Sequence, residues 1–263
     1  NHLDSRELLT FNMLHSSINY CSFKEIKNIS RKSNTPMKIF SIPNAEPQSI
    51  HELMLRAEAL AGLTLGELAA MAEVKVPINF KREKGWTGQL IEHCLGASAG
   101  SKTQQDFATL GVELKTIPIN ELGKPLETTY VCYAPLTNIA GIEWHSSSVK
   151  NKIQKVLWVP IDGRREISPQ NRCIATPFLW TPNTLQDMQL RNDWEELMEL
   201  IALGEVENIT AKHGQYLQLR PKAANGSALT QGIGKNGQVI QTRPRGFYLK
   251  KEFTHIILEN AFS

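Results

Sequence analysis

The sequence has 263 residues, enough for one large or two small domains at about 150 residues per domain. With 41% apolar and 21% charged residues, its composition is that of a globular protein and excludes a disordered, collagenous or coiled-coil chain. The 29 lysines and arginines barely outnumber the 26 aspartates and glutamates, so net charge alone indicates neither a nucleic-acid-binding nor a membrane-binding protein.

The sequence pattern shows no targeting or membrane signal. It has no run of about 18 consecutive apolar residues and none of the basic, apolar and small-residue regions of a secretory signal. We therefore expect a cytoplasmic protein that does not contact a membrane. The wide spacing of the cysteines argues against a zinc site and predicts reduced thiols at Cys21, Cys94, Cys132 and Cys173.

The N-terminal part of the chain predicts an extension followed by helices. Residues 1–47 show no sustained helical or strand period, so we expect a disordered extension to a two-lobed unit over residues 48–263. Ser49 and Thr64 are each followed three residues later by glutamate, and this capping-box pattern predicts helix starts at both. Apolar residues at helical spacing predict a third helix over residues 86–95.

Strand patterns begin after residue 111. The predicted strands are Val112–Ile119, Thr128–Ala134, Val156–Ile161, Gln215–Arg220 and Gly246–Lys250. The segment 173–180 fits a strand or a loop, because it contains one proline and is followed by another. A long helix is predicted after Asn183, and the dipeptide Asn236-Gly237 predicts a hairpin turn. Helices before, within and after a mixed sheet predict an α/β or α+β domain.

The strongest local signal for chemistry comes from Asp106, Glu113 and Lys115. On a strand, Glu113 and Lys115 share one face, while the residues between and beside them face the core. The Leu110-Gly111 turn can bring the Asp106 carboxylate back toward Glu113. Two carboxylates beside an ammonium group suit phosphodiester hydrolysis with Mg²⁺, which prefers oxygen ligands and acidifies a bound water.

Each of these residues also has a structural interpretation. The Glu-x-Lys pattern recurs at residues 25–27 and fits a solvated strand face equally well. Glu92 lies on the preceding predicted helix, where it either faces the same cleft or is an ordinary solvated carboxylate. Lys152 precedes the buried strand, where it either reaches a phosphate or is an exposed lysine.

Charge is unevenly distributed in the C-terminal half. Residues 210–252 carry eight basic residues against one acid, with Tyr216, Phe247 and Tyr248 interleaved, which indicates a polyanion-binding surface. Residues 186–207 carry seven acids against one arginine. We expect this acidic helix to face away from DNA as a solvated surface, with docking of a partner as the alternative.

Eight short segments match motifs of one protein family. They are Gly85-Trp86-x-Gly88, Leu95 to Lys102 (LGASAGSK), Gln105-Asp106-Phe107, Gly111 to Thr116 (GVELKT), Pro125 to Thr129 (PLETT), Asp193 to Met198 (DWEELM), Leu219-Arg220-Pro221-Lys222 and Gly246 to Lys251 (GFYLKK). Together they resemble the MutH family of methyl-directed mismatch-repair endonucleases. The resemblance spans roughly residues 48–260 and rests on the combination of motifs.

The resemblance implies a restriction-endonuclease-like fold, with a mixed central sheet flanked by helices and two lobes around a DNA-binding cleft. It implies a Mg²⁺-dependent endonuclease, with Mn²⁺ as a substitute, that nicks the unmethylated strand 5′ of GATC. The implied substrate is double-stranded DNA with a hemimethylated or unmethylated site. The implied activator is MutL, acting after MutS finds a mismatch, and the implied oligomeric state is a monomer.

The resemblance also assigns roles to residues by motif. The implied catalytic residues are Asp106, Glu113, Lys115, Glu92 and Lys152, and the three carboxylates among them are the implied metal ligands. The implied DNA-binding residues are Lys84, Arg220, Pro221, Lys222 and Tyr248. Within that set, Arg220 and Lys222 match residues that recognise the site, and Tyr248 matches the residue that senses adenine methylation.

Two positions depart from the family pattern. Ser148 and Asn151 stand where we expect histidines, which leaves the detailed role of the Lys152 segment open. Two alternative functions also stay open, a stand-alone restriction-type endonuclease of the same fold and a non-catalytic DNA-binding module.

Overall fold

The computed structural model describes residues 42–78, 85–98, 103–222 and 227–263. The helices in these ranges are α1 (Ile50–Glu58), α2 (Leu65–Met71), α3 (Trp86–Leu95), α4 (Ser148–Ile153), α5 (Thr184–Ala202) and α6 (Lys251–Phe262). The strands are β1 (Glu113–Ile119), β2 (Thr129–Tyr133), β3 (Val156–Asp162), β4 (Phe178–Trp180), β5 (Leu217–Pro221), β6 (Thr230–Ile233), β7 (Val239–Thr242) and β8 (Arg245–Leu249). The alternation of helices and strands confirms the predicted α/β class.

The first sheet has the order β1-β3-β4 and contains a parallel pair. β1 runs parallel to β3, with Glu113 opposite Val156, and β4 is antiparallel to β3. Parallel neighbours cannot be joined by a tight turn, so the chain must cross over between them. In this protein the crossover contains β2 and α4.

The second sheet has the order β2-β8-β5 and is antiparallel throughout. Its central strand, β8, pairs with β2 on one side and with β5 on the other. A separate hairpin joins β6 to β7, and Gly237 in its turn has a φ of 76°. This left-handed conformation is easily reached by glycine, and the hairpin confirms the predicted Asn236-Gly237 turn.

Two hydrophobic cores lie on opposite faces of the first sheet. The arm core packs α1, α2 and α3 against the face of β1 that carries Leu114. The central core packs the second sheet, α4, α5 and α6 against the opposite face, which carries Ile117 and Ile119. Because strand residues alternate between faces, Glu113 and Lys115 lie on the central-core side of β1.

The N-terminal boundary differs from the predicted one. Residues 42–47 were expected in the extension, yet Ile42 packs against the arm core and the Ala45 carbonyl accepts a hydrogen bond of 2.8 Å from Arg56. The Glu46 carboxylate accepts hydrogen bonds from Ser98 and Thr109 at 2.6 and 2.9 Å. The ordered part therefore includes residue 42, while the prediction for residues 1–41 lies outside the described ranges.

The predicted helix starts are confirmed, with one change in capping. The Thr64 and Glu67 side chains form the full capping box. At α1, Ser49 accepts from the Glu52 N–H, but the Glu52 carboxylate accepts from the Gln48 N–H at 2.8 Å instead of from Ser49. The predicted box at α1 is therefore only half formed.

The remaining predicted elements are found within one to three residues of their expected ends, except in the segment after residue 172. There, residues 173 and 174 form isolated bridges and only 178–180 form a strand. The short helix α4 and the terminal helix α6 were not located from the sequence. In the described ranges, none of the helices has the length and apolar character needed to cross a membrane.

Candidate active site

Glu113 is the centre of a buried group of charged side chains. The residue is only 3% exposed, and each of its carboxylate oxygens contacts an ammonium group. Oε1 lies 2.6 Å from Lys115 Nζ, and Oε2 lies 2.8 Å from Lys152 Nζ. Burial of a charged group is costly unless the group is paired and hydrogen-bonded, and both lysines supply such partners to Glu113.

The two lysines reach Glu113 from different elements. Lys115 follows two residues later on β1, and the strand pleat places both side chains on one face. Lys152 comes from α4, in the crossover that the parallel pairing of β1 and β3 requires. Its ammonium also donates to the Gln104 carbonyl, and at 6% exposure the residue is buried. Lys152 is therefore not the exposed lysine of the alternative interpretation.

Asp106 returns toward β1 as its sequence position predicts. A one-turn 3-10 helix over Ala108–Leu110 ends at Gly111, whose φ is 63°. Asp106 Oδ2 then accepts a 2.8 Å hydrogen bond from the Leu114 N–H. Burial raises the pKa of Asp106, and the nearby Glu113 carboxylate raises it further. The two carboxylates therefore belong to one electrostatic group.

Glu92 reaches the same group from α3. Burial raises the pKa of Glu92 to about 7, and the charges of Asp106 and Glu113 contribute to the increase. A solvated helix carboxylate would not sense two other carboxylates in this way. Glu92, Asp106, Glu113, Lys115 and Lys152 together are called the carboxylate–lysine cluster below.

The donor chemistry of this cluster fits a hard divalent cation. Its three carboxyl groups repel one another and raise the pKa of both Glu92 and Asp106, and a bound cation would relieve that repulsion. Within the described ranges, the side chains form no ready cluster of three or more His, Cys, Asp or Glu ligands. Both oxygens of Glu113 are instead engaged by ammonium groups.

The loop before Asp106 is tied to α4 by two amide side chains. Gln105 is buried and its Nε2 donates to both the backbone carbonyl and Oδ1 of Asn151, at 3.0 and 2.7 Å. Asn151 Nδ2 donates to the Thr103 carbonyl at 3.2 Å. These bonds fix the loop next to Asp106 on the helix that carries Lys152. The role of Asn151, where we expected histidine, is therefore to position this loop.

The predicted site-recognition residues meet on the outer face of the second sheet. Tyr248 on β8 is opposite Gln218 on β5, two residues before Arg220. The Arg220 guanidinium lies 5.6 Å from the Tyr248 ring centroid and donates to the Thr128 hydroxyl at 2.7 Å. Pro221, next to Arg220, is exposed.

Tyrosines complete this face. Lys222 Nζ lies 4.3 Å from the ring centroid of Tyr130, and the Tyr130 and Tyr248 rings meet edge to face at 5.3 Å. Tyr133 lies edge to face with Tyr130 at 5.9 Å. We call Tyr130, Tyr133, Tyr248, Arg220 and Lys222 the aromatic face. Lys84, the remaining predicted DNA contact, lies outside the described ranges.

Several charges counted in the sequence serve the fold. Arg245 is buried and pairs with Glu207 at 3.0 Å, and Lys235 pairs with Glu205 at 3.1 Å. The Lys250 ammonium donates to two main-chain carbonyls, those of Ala211 and Gly214. The basic segment therefore presents fewer cations to a ligand than its local charge predicts.

The acidic helix α5 differs from the prediction at Asp193. This residue was counted among the solvated acids, but it is 2% exposed. Its carboxylate accepts from the N–H groups of Gln215, Tyr216 and Leu217 at 2.6–2.9 Å. Asp193 therefore joins α5 to the start of β5, and no spacing in the sequence indicated this contact.

Comparison with known proteins decides the family. Residues 95–193 match the family described as MutH, DNA mismatch repair enzyme MutH. The DNA mismatch repair protein MutH of Yersinia enterocolitica is 58% identical over 226 residues, which cover 86% of this chain and 99% of that protein. The chain belongs to the MutH family. MutH of Yersinia pestis strain Pestoides F is also 58% identical over 226 residues, which cover 86% of this chain and 99% of that protein. MutH of Shigella boydii serotype 18 is 57% identical over 227 residues, which cover 86% of this chain and 97% of that protein.

Membership in the MutH family confirms several predictions. The protein is a DNA mismatch repair endonuclease that acts on DNA, and its α/β architecture is of the restriction-endonuclease-like type. A non-catalytic DNA-binding module is therefore not its family's function. MutH membership was recognisable from the combination of short motifs, whereas the contacts of Asp193, Gln105 and Asn151 were not.

Proposed function

We propose that this enzyme nicks the unmethylated strand of double-stranded DNA 5′ of GATC, using Mg²⁺, with Mn²⁺ as a substitute. One observation carries the catalytic part of the proposal, the buried Glu113 carboxylate held between Lys115 and Lys152 beside Asp106. A buried cluster of like charges that raises the pKa of its members is typical of an active site. Replacing buried ion pairs by well-packed apolar residues is often neutral or stabilising, so a gain in stability does not by itself account for such a cluster.

In this proposal Glu92, Asp106 and Glu113 hold the metal ion. When bound, a divalent cation acidifies a water molecule and offsets negative charge on the phosphate. Each Glu113 oxygen accepts one ammonium hydrogen bond and has a second lone pair, so a bound cation would share this carboxylate with the lysines. Lys115 has the more exposed side chain, at 16% against 8% for Lys152, so we assign Lys115 to orient or deprotonate the attacking water. Lys152, held also by Gln104, stays as the fixed charge beside Glu113.

The aromatic face is the proposed site of sequence recognition. An arginine guanidinium can donate two parallel hydrogen bonds to guanine in the major groove, which favours the correct base by about 1–3 kcal/mol. Arg220 has the chemistry for this contact, with Pro221 and Lys222 next to it in the chain, and we assign Lys84 to the same DNA interface. Methylation of adenine N6 removes a donor hydrogen and adds bulk, and we assign its detection to Tyr248.

Strand choice needs control beyond these contacts. Discrimination of one methyl group supplies only about 1–3 kcal/mol, or roughly tenfold to a hundredfold. We therefore propose that MutL, acting after MutS, supplies the remaining restraint, and that the enzyme works as a monomer on chromosomal DNA in the cytoplasm. A stand-alone restriction-type endonuclease would need no such activator.

Nicking of strand-labelled duplexes tests the proposal. The full chain is incubated with hemimethylated, unmethylated and fully methylated GATC duplexes, and with a duplex whose site is scrambled, each with Mg²⁺, Mn²⁺ or EDTA. We expect a single cut 5′ of GATC on the unmethylated strand, accelerated by MutL and absent in EDTA. Equal cutting of both strands, or of the scrambled duplex, would contradict it.

A further inference from the structure

A β-bulge in β2 determines which side chains reach the aromatic face. Tyr130 is opposite Tyr248 on β8, but Cys132 is opposite Phe247, so Val131 is an extra residue in β2. Val131 is 2% exposed in the central core, and Cys132 also packs against that core. Two consecutive residues therefore point inward, which returns the next residue, Tyr133, to the outer face beside Tyr130.

Tyr133 is unusually exposed for a large aromatic residue on a strand. It is 55% exposed, and its ring touches Tyr130 edge to face with centroids 5.9 Å apart. In the described part of the chain, no hydrogen bond from its hydroxyl group is found. An exposed ring with an available O–H group, held at its base by a second ring, is typical of a binding contact.

The surroundings of Tyr133 determine which ligand suits it. Lys222 lies over the ring of Tyr130, and Arg220 lies over the ring of Tyr248, so two cations share the face with the three tyrosines. Tyr133 therefore lies on a face that carries positive charge, which suits an anionic ligand.

We propose that Tyr133 is a DNA-backbone contact, with its hydroxyl group donating a hydrogen bond to a phosphate oxygen beside the recognised bases. The proposal rests on the proposed function, because it takes DNA as the ligand of the aromatic face. Tyrosine hydroxyl groups are common donors to phosphates, and such contacts fix the register of the protein on the duplex without reading sequence. Tyr133 would thus hold the duplex beside the residues assigned to recognition.

The test measures DNA affinity of the full chain by fluorescence anisotropy, with Ca²⁺ in place of Mg²⁺ to prevent cutting. The variants are Tyr133→Phe, which removes only the hydroxyl group, and Tyr133→Val, which also removes the ring. Tyr216→Phe is the matched control, because Tyr216 stacks on Phe253 at 4.0 Å and packs against the central core. Thermal unfolding of each variant checks that the fold is intact.

We expect Tyr133→Phe to weaken binding about fivefold to twentyfold, and Tyr133→Val by at least as much, with Tyr216→Phe within twofold of the parent. The loss should be equal for GATC and scrambled duplexes. The slope of log affinity against log salt should not change, because tyrosine is neutral, whereas Lys222→Ala should reduce it by about one.

Three results would overturn the assignment. Binding by Tyr133→Phe within twofold of the parent excludes the hydroxyl contact. A loss confined to Tyr133→Val indicates ring packing instead, and a loss confined to GATC duplexes indicates base recognition. A parent protein that shows no preference for GATC DNA contradicts the proposed function itself, which distinguishes the two failures.

Discussion

The carboxylate–lysine cluster and the aromatic face are built in opposite ways. In the cluster, Glu113 is 3% and Lys152 6% exposed, and both carboxylate oxygens of Glu113 have a charged partner. On the aromatic face, Tyr133 is 55% exposed and the side chains meet mainly through rings at 4.3–5.9 Å. One region is buried and held by charged hydrogen bonds, and the other is more exposed and held mainly by ring contacts.

The difference fits the role proposed for each region. Groups that take part in chemistry must be held within a fraction of an ångström, which burial and charged hydrogen bonds achieve. Groups that recognise DNA must exchange water for phosphates and base edges, so their donors have to be available before DNA binds. If the two regions are separable, substitutions in one should leave the property of the other intact.

The largest expected effect comes from Glu113→Gln. The amide keeps the shape of the side chain but removes the charge that pairs both lysines, so we expect nicking with Mg²⁺ to fall at least about a thousandfold. DNA affinity measured with Ca²⁺ should stay within a fewfold of the parent. Glu121→Gln is the control, because Glu121 is an exposed residue just after the same strand. Persistent nicking by Glu113→Gln would contradict the assignment of Glu113 as a metal ligand.

Substitution of Arg220 should lower the preference for GATC and leave the catalytic step of nicking intact. Arg220→Ala removes the proposed guanine contact, and we expect the preference for GATC over singly altered sites to fall about tenfold to a hundredfold. Competition cleavage of duplexes with one altered base pair measures this preference. Lys212→Ala, an exposed lysine of the same basic segment, should leave the preference unchanged. Retained preference in Arg220→Ala would reassign the contact to another side chain.

The carboxylate–lysine cluster should also make the stability of the metal-free protein depend on pH. Because the pKa of Glu92 is raised to about 7 from 4.5, the folded state keeps a proton that the unfolded state loses between these pH values. Stability should therefore fall as pH rises through this window. Glu92→Gln should reduce that dependence and stabilise the protein at pH 8 by about 1–2 kcal/mol, after allowance for solvent screening of a partly exposed group.

Urea unfolding in EDTA at pH 5 and pH 8 measures this effect. Glu58→Gln, an exposed position on α1, is the control and should keep the pH dependence of the parent. If the free energy of unfolding changes between pH 5 and pH 8 by the same amount in Glu92→Gln as in the parent, Glu92 is not part of the charged cluster.

The smallest expected effect concerns methylation. Tyr248→Ser opens space at the aromatic face, so we expect the ratio of cleavage rates on unmethylated and fully methylated GATC to fall about tenfold. Tyr248→Phe retains the ring and should keep most of the discrimination if bulk is what the residue senses. An unchanged ratio in Tyr248→Ser would place the methyl sensor elsewhere.

The sequence predicts best where periodicity and burial agree. β3 is a continuous apolar run and is buried along its whole length, and the alternation in β1 correctly placed Glu113 and Lys115 on one face. Asp106 returned toward them because Gly111 readily adopts the left-handed turn that its position requires. These features depend on local spacing, which a sequence displays directly.

Contacts between distant segments were beyond prediction. Asp193 and Arg245 look like ordinary surface charges, and only the packing of α5 and β8 shows that they are buried and paired. The link between Gln105 and Asn151 joins residues 46 positions apart through side-chain amides that have no periodic signal. The bulge at Val131 likewise depends on pairing with β8, so the outward position of Tyr133 could not be foreseen.

The bulge in β2 also decides how the strand divides its side chains between two environments. Val131 and Cys132 both pack into the central core, while Tyr130 and Tyr133 stay on the outer face. The strand therefore gives the core one more apolar side chain than regular alternation would allow. Deleting Val131 should restore that alternation, which keeps Tyr133 on the outer face and takes one buried side chain out of the central core.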